Sequence, residues 1–231
     1  THNYELRRLL RSPDPVDEQE LTAALDEVRA LFGVGPTAGA AGSAPDIMVA
    51  VFPAATSPER VAAVVREFGW TGPLGVTYPG VVTNGVVRTA ANVDKGWIGV
   101  NAAEVISAEL GGQHVTVLND ADAAGLAEER FGAGKDNSGV IVLLTFGTGI
   151  GSAVIHNGVL LPNTEFGHLE VGGKEAEHRA ASSVKDRKEW SYERRTEEVT
   201  KVLTVIENAI WPDRFIAGGG ISRKADKWIP L

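Results

Sequence analysis

The stretch LLTFGTGIGSAVI, residues 143–155, decides the fold that this sequence predicts. An apolar, β-branched run at residues 140–144 leads into it and a similar run at residues 153–155 ends it, which predicts two strands joined by a glycine turn. Glycine recurs at alternate positions: Gly147, Gly149 and Gly151. Such spacing lets backbone amides approach a phosphate where a Cβ would block it. The alternative is a hairpin that merely needs positive φ angles, and the turn alone leaves both interpretations open.

Composition excludes several classes of protein. The chain has 231 residues, 43% of them hydrophobic, which is enough for one large α/β domain or two modest ones. The absence of cysteine excludes disulfides and thiolate metal sites. A formal charge of −8 argues against broad binding to nucleic acid. There is no apolar run of membrane-spanning length and no signal-like start, so we expect a cytoplasmic protein without membrane or nucleic-acid partners.

The first half of the chain alternates between helix and strand patterns, as in α/β folds. An amphipathic helix is predicted over residues 16–32 and a Gly/Ala/Pro-rich linker over residues 33–45. The elements predicted after the linker are a strand at 46–52, a helix at 57–68, a strand at 74–78, an Asn-Gly hairpin within 81–87 and a helix at 101–110.

A second candidate site follows the strand predicted at residues 114–118. That strand ends at Asn119, and Asp120 and Asp122 then open a helix predicted over residues 121–131. Carboxylates just beyond the carboxyl end of a strand are often reacting groups in α/β proteins. An N-cap role for either aspartate is the common structural alternative, and the sequence does not decide between the two.

Beyond the glycine turn, residues 163–170 are rich in side chains that both donate and accept hydrogen bonds, as a sugar requires. His168, Glu170 and His178 suggest a metal site, but nothing fixes a tetrahedral set, and we predict no metal bound by the protein alone. The charged residues 185–198 predict a solvated surface. A helix over 192–210 is expected to bury Val199, Leu203, Ile206 and Ile210, and a strand at 214–217 precedes a second glycine segment, Gly218 to Gly220.

Four segments together resemble one family, the polyphosphate glucokinases of the ROK branch of sugar kinases. They are residues 118–128, 143–155, 162–170 and 217–222, within a match running from about Phe68 to Leu231. The resemblance implies an α/β, ribonuclease H-like (actin-like ATPase) two-domain sugar kinase fold, incomplete in its N-terminal domain. The domains expected are a helix and linker at 1–45, an N-terminal α/β domain at 46–118 and a C-terminal α/β domain at 119–231.

The resemblance also implies an activity: transfer of the terminal phosphoryl group of inorganic polyphosphate or ATP, with Mg²⁺, to the 6-hydroxyl of glucose. Asp120 would be the general base, and a homodimer is possible. The sugar ligands implied are Asn92, Asn119, Glu165, His168 and Glu170. The phosphate contacts implied are Gly147, Thr148, Gly149, Gly151, Gly218, Gly219 and Gly220. A long polyanion also needs positive charge along its path, and the candidates are Lys185, Arg187, Lys188, Arg223, Lys224 and Lys227.

The sequence departs from the family pattern at both ends. Residues 1–67 do not reproduce the family's glycine-rich first phosphate loop, and the chain stops at Leu231 where the family continues. The alternative function is therefore a catalytically impaired sugar-binding relative that has lost the donor loop. A structural or regulatory partner is a third hypothesis. Glucose binding without phosphorylation favours the second, and absence of glucose binding favours the third.

Overall fold

The computed structural model describes residues 57–67, 69–90 and 93–229, with the backbone alone for Ile221 and Arg223. The chain divides into two compact units, one ending at Thr71 and one beginning at Gly72. The helix predicted at 16–32, the linker at 33–45, the strand at 46–52 and the sugar ligand Asn92 lie outside the described residues. The predicted domain division between residues 118 and 119 stays a prediction.

Helix α1 (Pro58–Glu67) is the described element of the first unit. Proline stands at its first position, where a missing N–H loses no hydrogen bond, and Glu59 lies near the positive end of the helix dipole. Val61, Ala62 and Val65 recur at helical spacing and are buried. Periodicity and the start signal together therefore account for this helix.

The second unit begins with a parallel pair of strands, β1 (Leu74–Tyr78) and β4 (Val115–Asn119). Between them lie β2 (Val82–Thr83), β3 (Val86–Val87), a 3₁₀ turn (Lys95–Trp97) and helix α2 (Ala102–Glu109). Asn84 and Gly85 join β2 to β3 with φ of 51° and 78°, the left-handed values that a tight hairpin needs. Tyr78 pairs with Asn119, so both parallel strands end at the same edge.

Helix α3 (Asp120–Phe131) follows β4 directly and leads into the hairpin of β5 (Val140–Phe146) and β6 (Ile150–His156). These strands pair antiparallel from Val140 opposite His156 to Phe146 opposite Ile150. The strand, glycine turn and strand predicted from residues 140–155 are therefore confirmed.

Strands β7 (Val159–Leu161) and β8 (Arg214–Gly218) complete a four-stranded sheet in the order β7-β6-β5-β8. The helices between them are α4 (Ala176–Ala180), α5 (Ser182–Arg187) and α6 (Tyr192–Ile210), preceded by a 3₁₀ turn (Phe166–His168) and followed after β8 by another (Gly220–Lys227). Since β8 runs parallel to β5, the glycine segments that follow the two strands leave the sheet at one edge.

Both faces of this sheet are covered, which explains why β5 is apolar at every position from 140 to 144. On one face, Val142, Leu144 and Phe146 pack with buried residues of α4, α5 and α6. On the other, Ile141 and Leu143 pack with Ala153, and Ala124 of α3 lies against them. The sheet is thus the middle layer of a helix, sheet, helix sandwich.

The solvated surface predicted over residues 185–198 is confirmed except at two positions, since the other residues of the stretch are exposed or half-buried. Part of that stretch lies in α5, and Arg195 and Glu198 of α6 are 0% and 2% exposed. Ile210, predicted to be buried, is 37% exposed because α6 reaches its end there. No helix in the described ranges is long and apolar enough to cross a membrane.

Candidate active site

Asn119 caps helix α3 and so fixes the start of the candidate site. Its Oδ1 accepts hydrogen bonds from the backbone N–H groups of Ala121 (2.8 Å) and Asp122 (3.1 Å). Its Nδ2 donates to the carbonyl oxygen of Gly80, at 3.1 Å. The cap is therefore Asn119 rather than either aspartate, and its amide is already engaged on both sides. Its role as a sugar ligand stays a prediction.

Asp120 lies at the amino end of α3, and the residue as a whole is exposed to solvent. Protein atoms nevertheless crowd its carboxyl group, and this loss of hydration raises its pKa, although a hydrogen bond from the backbone N–H of Ala121 (2.9 Å) opposes the shift. A carboxylate with a raised pKa holds a proton more readily than an ordinary aspartate. The role of Asp120 as general base stays a prediction.

The glycine turn between β5 and β6 is tight and almost free of side chains. The N–H of Gly147 donates to the carbonyl oxygen of Gly149 at 2.9 Å, so one of the predicted phosphate-binding amides closes the turn instead. None of Gly147, Gly149 and Gly151 has a positive φ. The hairpin alternative that required positive φ at these positions is therefore excluded.

Close approach explains one of these glycines, because a Cβ on Gly151 would lie 2.9 Å from the Cβ of Ala121. A Cβ on Gly149 would meet only the carboxylate of Glu177, the movable end of a flexible side chain. Gly151 belongs to β6 and lets helix α3 approach the strand, whereas Gly147 and Thr148 are exposed at the tip. The turn thus lies between the start of α3 and Glu177.

Two serines hold the turn from behind. Ser182 Oγ donates to the carbonyl oxygen of Phe146 (3.1 Å), and Ser183 Oγ donates to that of Thr148 (2.6 Å). The N–H of Ser183 also donates to the carbonyl oxygen of Gly147, at 3.2 Å. The turn carbonyls are therefore held against the start of α5.

The second glycine segment lies beside the first, as the parallel pairing of β5 and β8 requires. Gly219 has φ of 86°, and a Cβ there would lie 2.7 Å from the carbonyl oxygen of Phe146. Only glycine fits this position, for its backbone conformation and for space. The structure thus brings together the two glycine segments that the sequence nominated as phosphate contacts.

The predicted sugar segment, residues 163–170, folds over β6 and the start of α3. Loss of hydration raises the pKa of Glu165; His168 opposes the shift, and the nearby carboxylates of Asp120, Asp122 and Glu177 reinforce it. Glu165, His168 and Asp120 therefore share one region. Glu170 is exposed in a turn closed by a bridge to Glu175.

Glu175 and Glu177 join this region although the sequence analysis assigned them no role. One ligand atom each from His168, Glu175 and Glu177 lies within 4.8 Å of the others, a spacing that suits a metal ion. His178 Nδ1 lies 3.2 Å from Glu175 Oε2, and His168 Nδ1 lies 3.7 Å from Glu175 Oε1. The set differs from the one weighed in the sequence, because Glu175 and Glu177 replace Glu170 and His178.

Aromatic rings organise three of the predicted track cations. Lys185 and Lys227 lie over the Tyr192 ring, with Nζ at 4.8 Å and 5.9 Å from its centroid, and Lys188 Nζ lies 4.7 Å from the centroid of Trp190. Arg187 and Lys224 are exposed, and the side chain of Arg223 is not described. The structure therefore groups Lys185 and Lys227 on one ring, close to the start of α6.

Arg195 is a further cation near the turn that the sequence analysis missed. It is 0% exposed, and its guanidinium lies between the rings of Phe146 (5.0 Å) and Trp228 (4.4 Å). Its three nitrogens have no hydrogen-bond partner within the described ranges. Burial lowers the pKa of Arg195 to about 10, so it stays charged at neutral pH.

Comparisons with known proteins identify the family of the chain. The ROK family pattern matches residues 59–182. Polyphosphate glucokinases of Mycobacterium tuberculosis and Mycobacterium leprae are each 77% identical over 173 residues, or 75% of this chain. The chain spans 65% of the length of the first relative and 53% of the second.

A solved structure, the inorganic polyphosphate/ATP-glucomannokinase of Arthrobacter sp. strain KM, is 38% identical with a TM-score of 0.66. That alignment covers 94% of this chain and 74% of the other. The predicted fold class, a ribonuclease H-like (actin-like) α/β sugar kinase fold, is confirmed.

Proposed function

Because the chain belongs to the ROK family, we propose that it transfers the terminal phosphoryl group of inorganic polyphosphate or ATP to the 6-hydroxyl of glucose. One observation carries the proposal: the carboxylate of Asp120 lies at the start of α3, beside a glycine turn whose tip is open. A base and a phosphate-binding turn in one place are what phosphoryl transfer to a hydroxyl requires.

On the acceptor side, Asp120 takes the proton of the 6-hydroxyl as that oxygen attacks phosphorus. Its raised pKa supports this role, since proton transfer from a hydroxyl is easier to a more basic carboxylate. Glu165 and His168 hold other sugar hydroxyls, with Asn92, Asn119 and Glu170 as further ligands predicted from the resemblance. Positioning of this kind supplies much of the rate in phosphoryl transfer.

On the donor side, the exposed tip at Gly147 and Thr148 and the neighbouring segment Gly218 to Gly220 contact the phosphates. Gly149 and Gly151 keep the turn narrow rather than binding through a side chain. The cations around Tyr192 then contact the polyanion where its chain leaves the site. Arg187, Lys188, Arg223 and Lys224 complete this proposed track.

The residues present fit Mg²⁺. The carboxylates of Asp120, Asp122, Glu165 and Glu177 are close enough to raise the pKa of Glu165, and a divalent cation with oxygen ligands relieves such repulsion. Glu177, which lies beside the turn, and the neighbouring Glu175 would hold the ion together with donor oxygens, and Asp120 would stay free to act as the base. Bound there, Mg²⁺ would neutralise charge on the transferred phosphoryl group.

The test is formation of glucose 6-phosphate by the 231-residue chain, with glucose, Mg²⁺ and either polyphosphate or ATP. Product that disappears in Asp120→Asn supports the proposal. If a folded protein binds glucose by calorimetry but forms no product with either donor, the proposal is overturned in favour of the sugar-binding alternative. Cytoplasmic location and homodimer formation stay predictions from the sequence.

A further inference from the structure

We infer that Asp122 and Asn163 are positioning residues that hold the sugar-binding segment in register with Asp120. This inference rests on the proposed function of the same site. Asp122 lies two residues after the base, on the inner side of the first turn of α3, and is 1% exposed. A buried carboxyl group needs a partner to offset its lost hydration, and the partner that Asp122 has belongs to the sugar segment.

The partner is the backbone of Asn163. Its N–H donates to Asp122 Oδ2 at 2.8 Å, across 41 residues of sequence, whereas Asp122 Oδ1 has no partner among the described residues. The contact therefore ties the first turn of α3 to the residue that begins the sugar segment. Because Asp120 lies in that same turn, this hydrogen bond fixes the position of the sugar segment relative to the base.

The side chain of Asn163 extends the connection to the β2–β3 hairpin. Its Oδ1 accepts from the N–H of Val82, and its Nδ2 donates to the carbonyl oxygen of Val82, both at 2.8 Å. The amide thus pairs with Val82 as the backbone of a neighbouring strand would. Asn163 has φ of 60°, a left-handed conformation that asparagine tolerates better than most residues.

Ser152 of β6 holds the next residues of the segment. Its hydroxyl donates to the carbonyl oxygen of Thr164 (2.7 Å) and accepts from the N–H of Phe166 (3.0 Å). Glu165 lies between these two contacts, and His168 follows in the 3₁₀ turn. The position of Glu165 relative to Asp120 is therefore set by Asp122 on one side and Ser152 on the other.

The contact uses the oxygen of Asp122 rather than its charge. Asp122 Oδ2 accepts from the N–H of Asn163, and this bond requires only an acceptor oxygen from the side chain. An asparagine side chain offers an acceptor oxygen of the same reach. Asp122→Asn is therefore the conservative variant, and Asp122→Ala is the variant that removes the contact.

The matched control is Asp213→Ala. Asp213 Oδ2 accepts from the N–H of Val140 at 2.7 Å, a bond of the same type at the opposite end of β5 from the glycine turn. Both alanine variants lose one bond between a carboxylate and a backbone amide. Only Asp122→Ala loses a bond to the sugar segment.

The experiment measures glucose affinity by calorimetry and, where turnover is present, kcat and KM for each substrate. We expect Asp122→Ala to weaken glucose binding about tenfold and to lower kcat/KM for glucose about 100-fold, as a misplaced substrate does, with donor KM unchanged within about twofold. Asp122→Asn should restore glucose affinity to within about threefold of wild type. Asp213→Ala should lower the melting temperature and leave glucose affinity unchanged.

Three results overturn the inference: a folded Asp122→Ala protein with wild-type glucose affinity, an equal loss of affinity in Asp213→Ala, or a wild-type chain that does not bind glucose. If Asp122→Ala does not fold, Asn163→Gly replaces it, because glycine keeps the left-handed backbone and the N–H to Asp122 but removes both bonds to Val82. Wild-type affinity in that variant also overturns the inference. A wild-type chain that binds glucose without turning it over overturns the kinase proposal alone, since the affinities are still compared.

Discussion

The start of α3 and the middle of α6 both carry carboxylates shielded from water, and the pKa values of the two groups shift in opposite directions. Loss of hydration raises the pKa values of Asp120, Asp122 and Glu165 around the sugar segment. Burial also opposes ionisation of Glu198 on α6, yet hydrogen bonds from Lys201 and Arg179 hold its pKa below the usual value. Both groups are shielded from water, so the difference in pKa depends on whether cations lie beside the carboxylate.

Each region suits a different task. The sugar side leaves its carboxylates short of cations, so that one of them is ready to accept a proton. Glu198 binds Arg179, Arg194 (3.0 Å) and Lys201 (2.8 Å), and fastens α4 to α6. The first arrangement suits the proposed catalysis, and the second stabilises the packing of two helices.

The largest effect should come from Asp120→Asn, which keeps the shape and hydrogen bonding of the side chain but removes the base. We expect kcat to fall by about 10³-fold or more, with glucose affinity within about tenfold of wild type. Initial rates of glucose 6-phosphate formation and calorimetry with glucose measure the two quantities. Comparable turnover in the variant contradicts the role of Asp120.

Glu198→Gln tests the other side of the comparison. Removing this charge takes the buried counter-charge from Arg179, whose side chain is 15% exposed, so we expect a loss of about 3 kcal/mol in the free energy of unfolding. The control is Glu197→Gln, since Glu197 also pairs with Arg194 but its side chain is 59% exposed. That change should cost less than about 1 kcal/mol. Equal losses in urea denaturation would mean that burial adds nothing to the Glu198 contacts.

The difference between wild type and Glu198→Gln should also depend on pH. The pKa of Glu198 is lower in the folded than in the unfolded state, so its stabilisation is complete above the unfolded pKa of about 4.3 and is lost as pH falls through the folded pKa. The raised pKa values of Asp120 and Glu165 change stability with pH in the opposite direction, because protonation at low pH removes charges that destabilise the folded state. Denaturation curves at several pH values should therefore converge for the two proteins in acid. A gap that stays constant is the contrary result.

Arg195→Met should have the smallest effect. Methionine keeps an unbranched stem between Phe146 and Trp228 while removing a charge that has no hydrogen-bond partner in the described chain. Replacing such a cation by an apolar side chain should change the free energy of unfolding by less than about 1 kcal/mol or increase it. Arg195→Ala is the comparison, because it also removes the packing of the stem. A loss of several kcal/mol in the methionine variant would show that the charge itself stabilises the fold.

Patterns with a clear local cause were predicted well from the sequence. Strand β1 and helix α6 have the predicted limits, and Asn84 and Gly85 form the expected hairpin, because periodicity and turn chemistry act over a few residues. Strand β7 and helices α4 and α5 are three to six residues long, too short for a periodic signal. They form because the rest of the sheet and α6 pack against them.

The site could be predicted only in part. Motifs located Asp120, the glycine segments and Glu165, but Glu177 joins the site through a tertiary contact with Gly149 that no spacing reveals. Burial of Glu198 depends on Arg179, 19 residues away, and a charged residue on a helix is ordinarily expected to face solvent. The sequence does not show which charged residues pair when they lie far apart along the chain.

Strand β7 bears on how the protein should be handled at high concentration. It lies at the edge of the described sheet, with Val159 and Leu161 exposed by 70% and 59%, beside an apolar groove of about 790 Å³. An apolar edge strand is a template for another strand, so concentrated samples have a route to edge-to-edge aggregation. A lysine in place of Val159 would block that route and extend the storage life of a preparation without touching the catalytic groups.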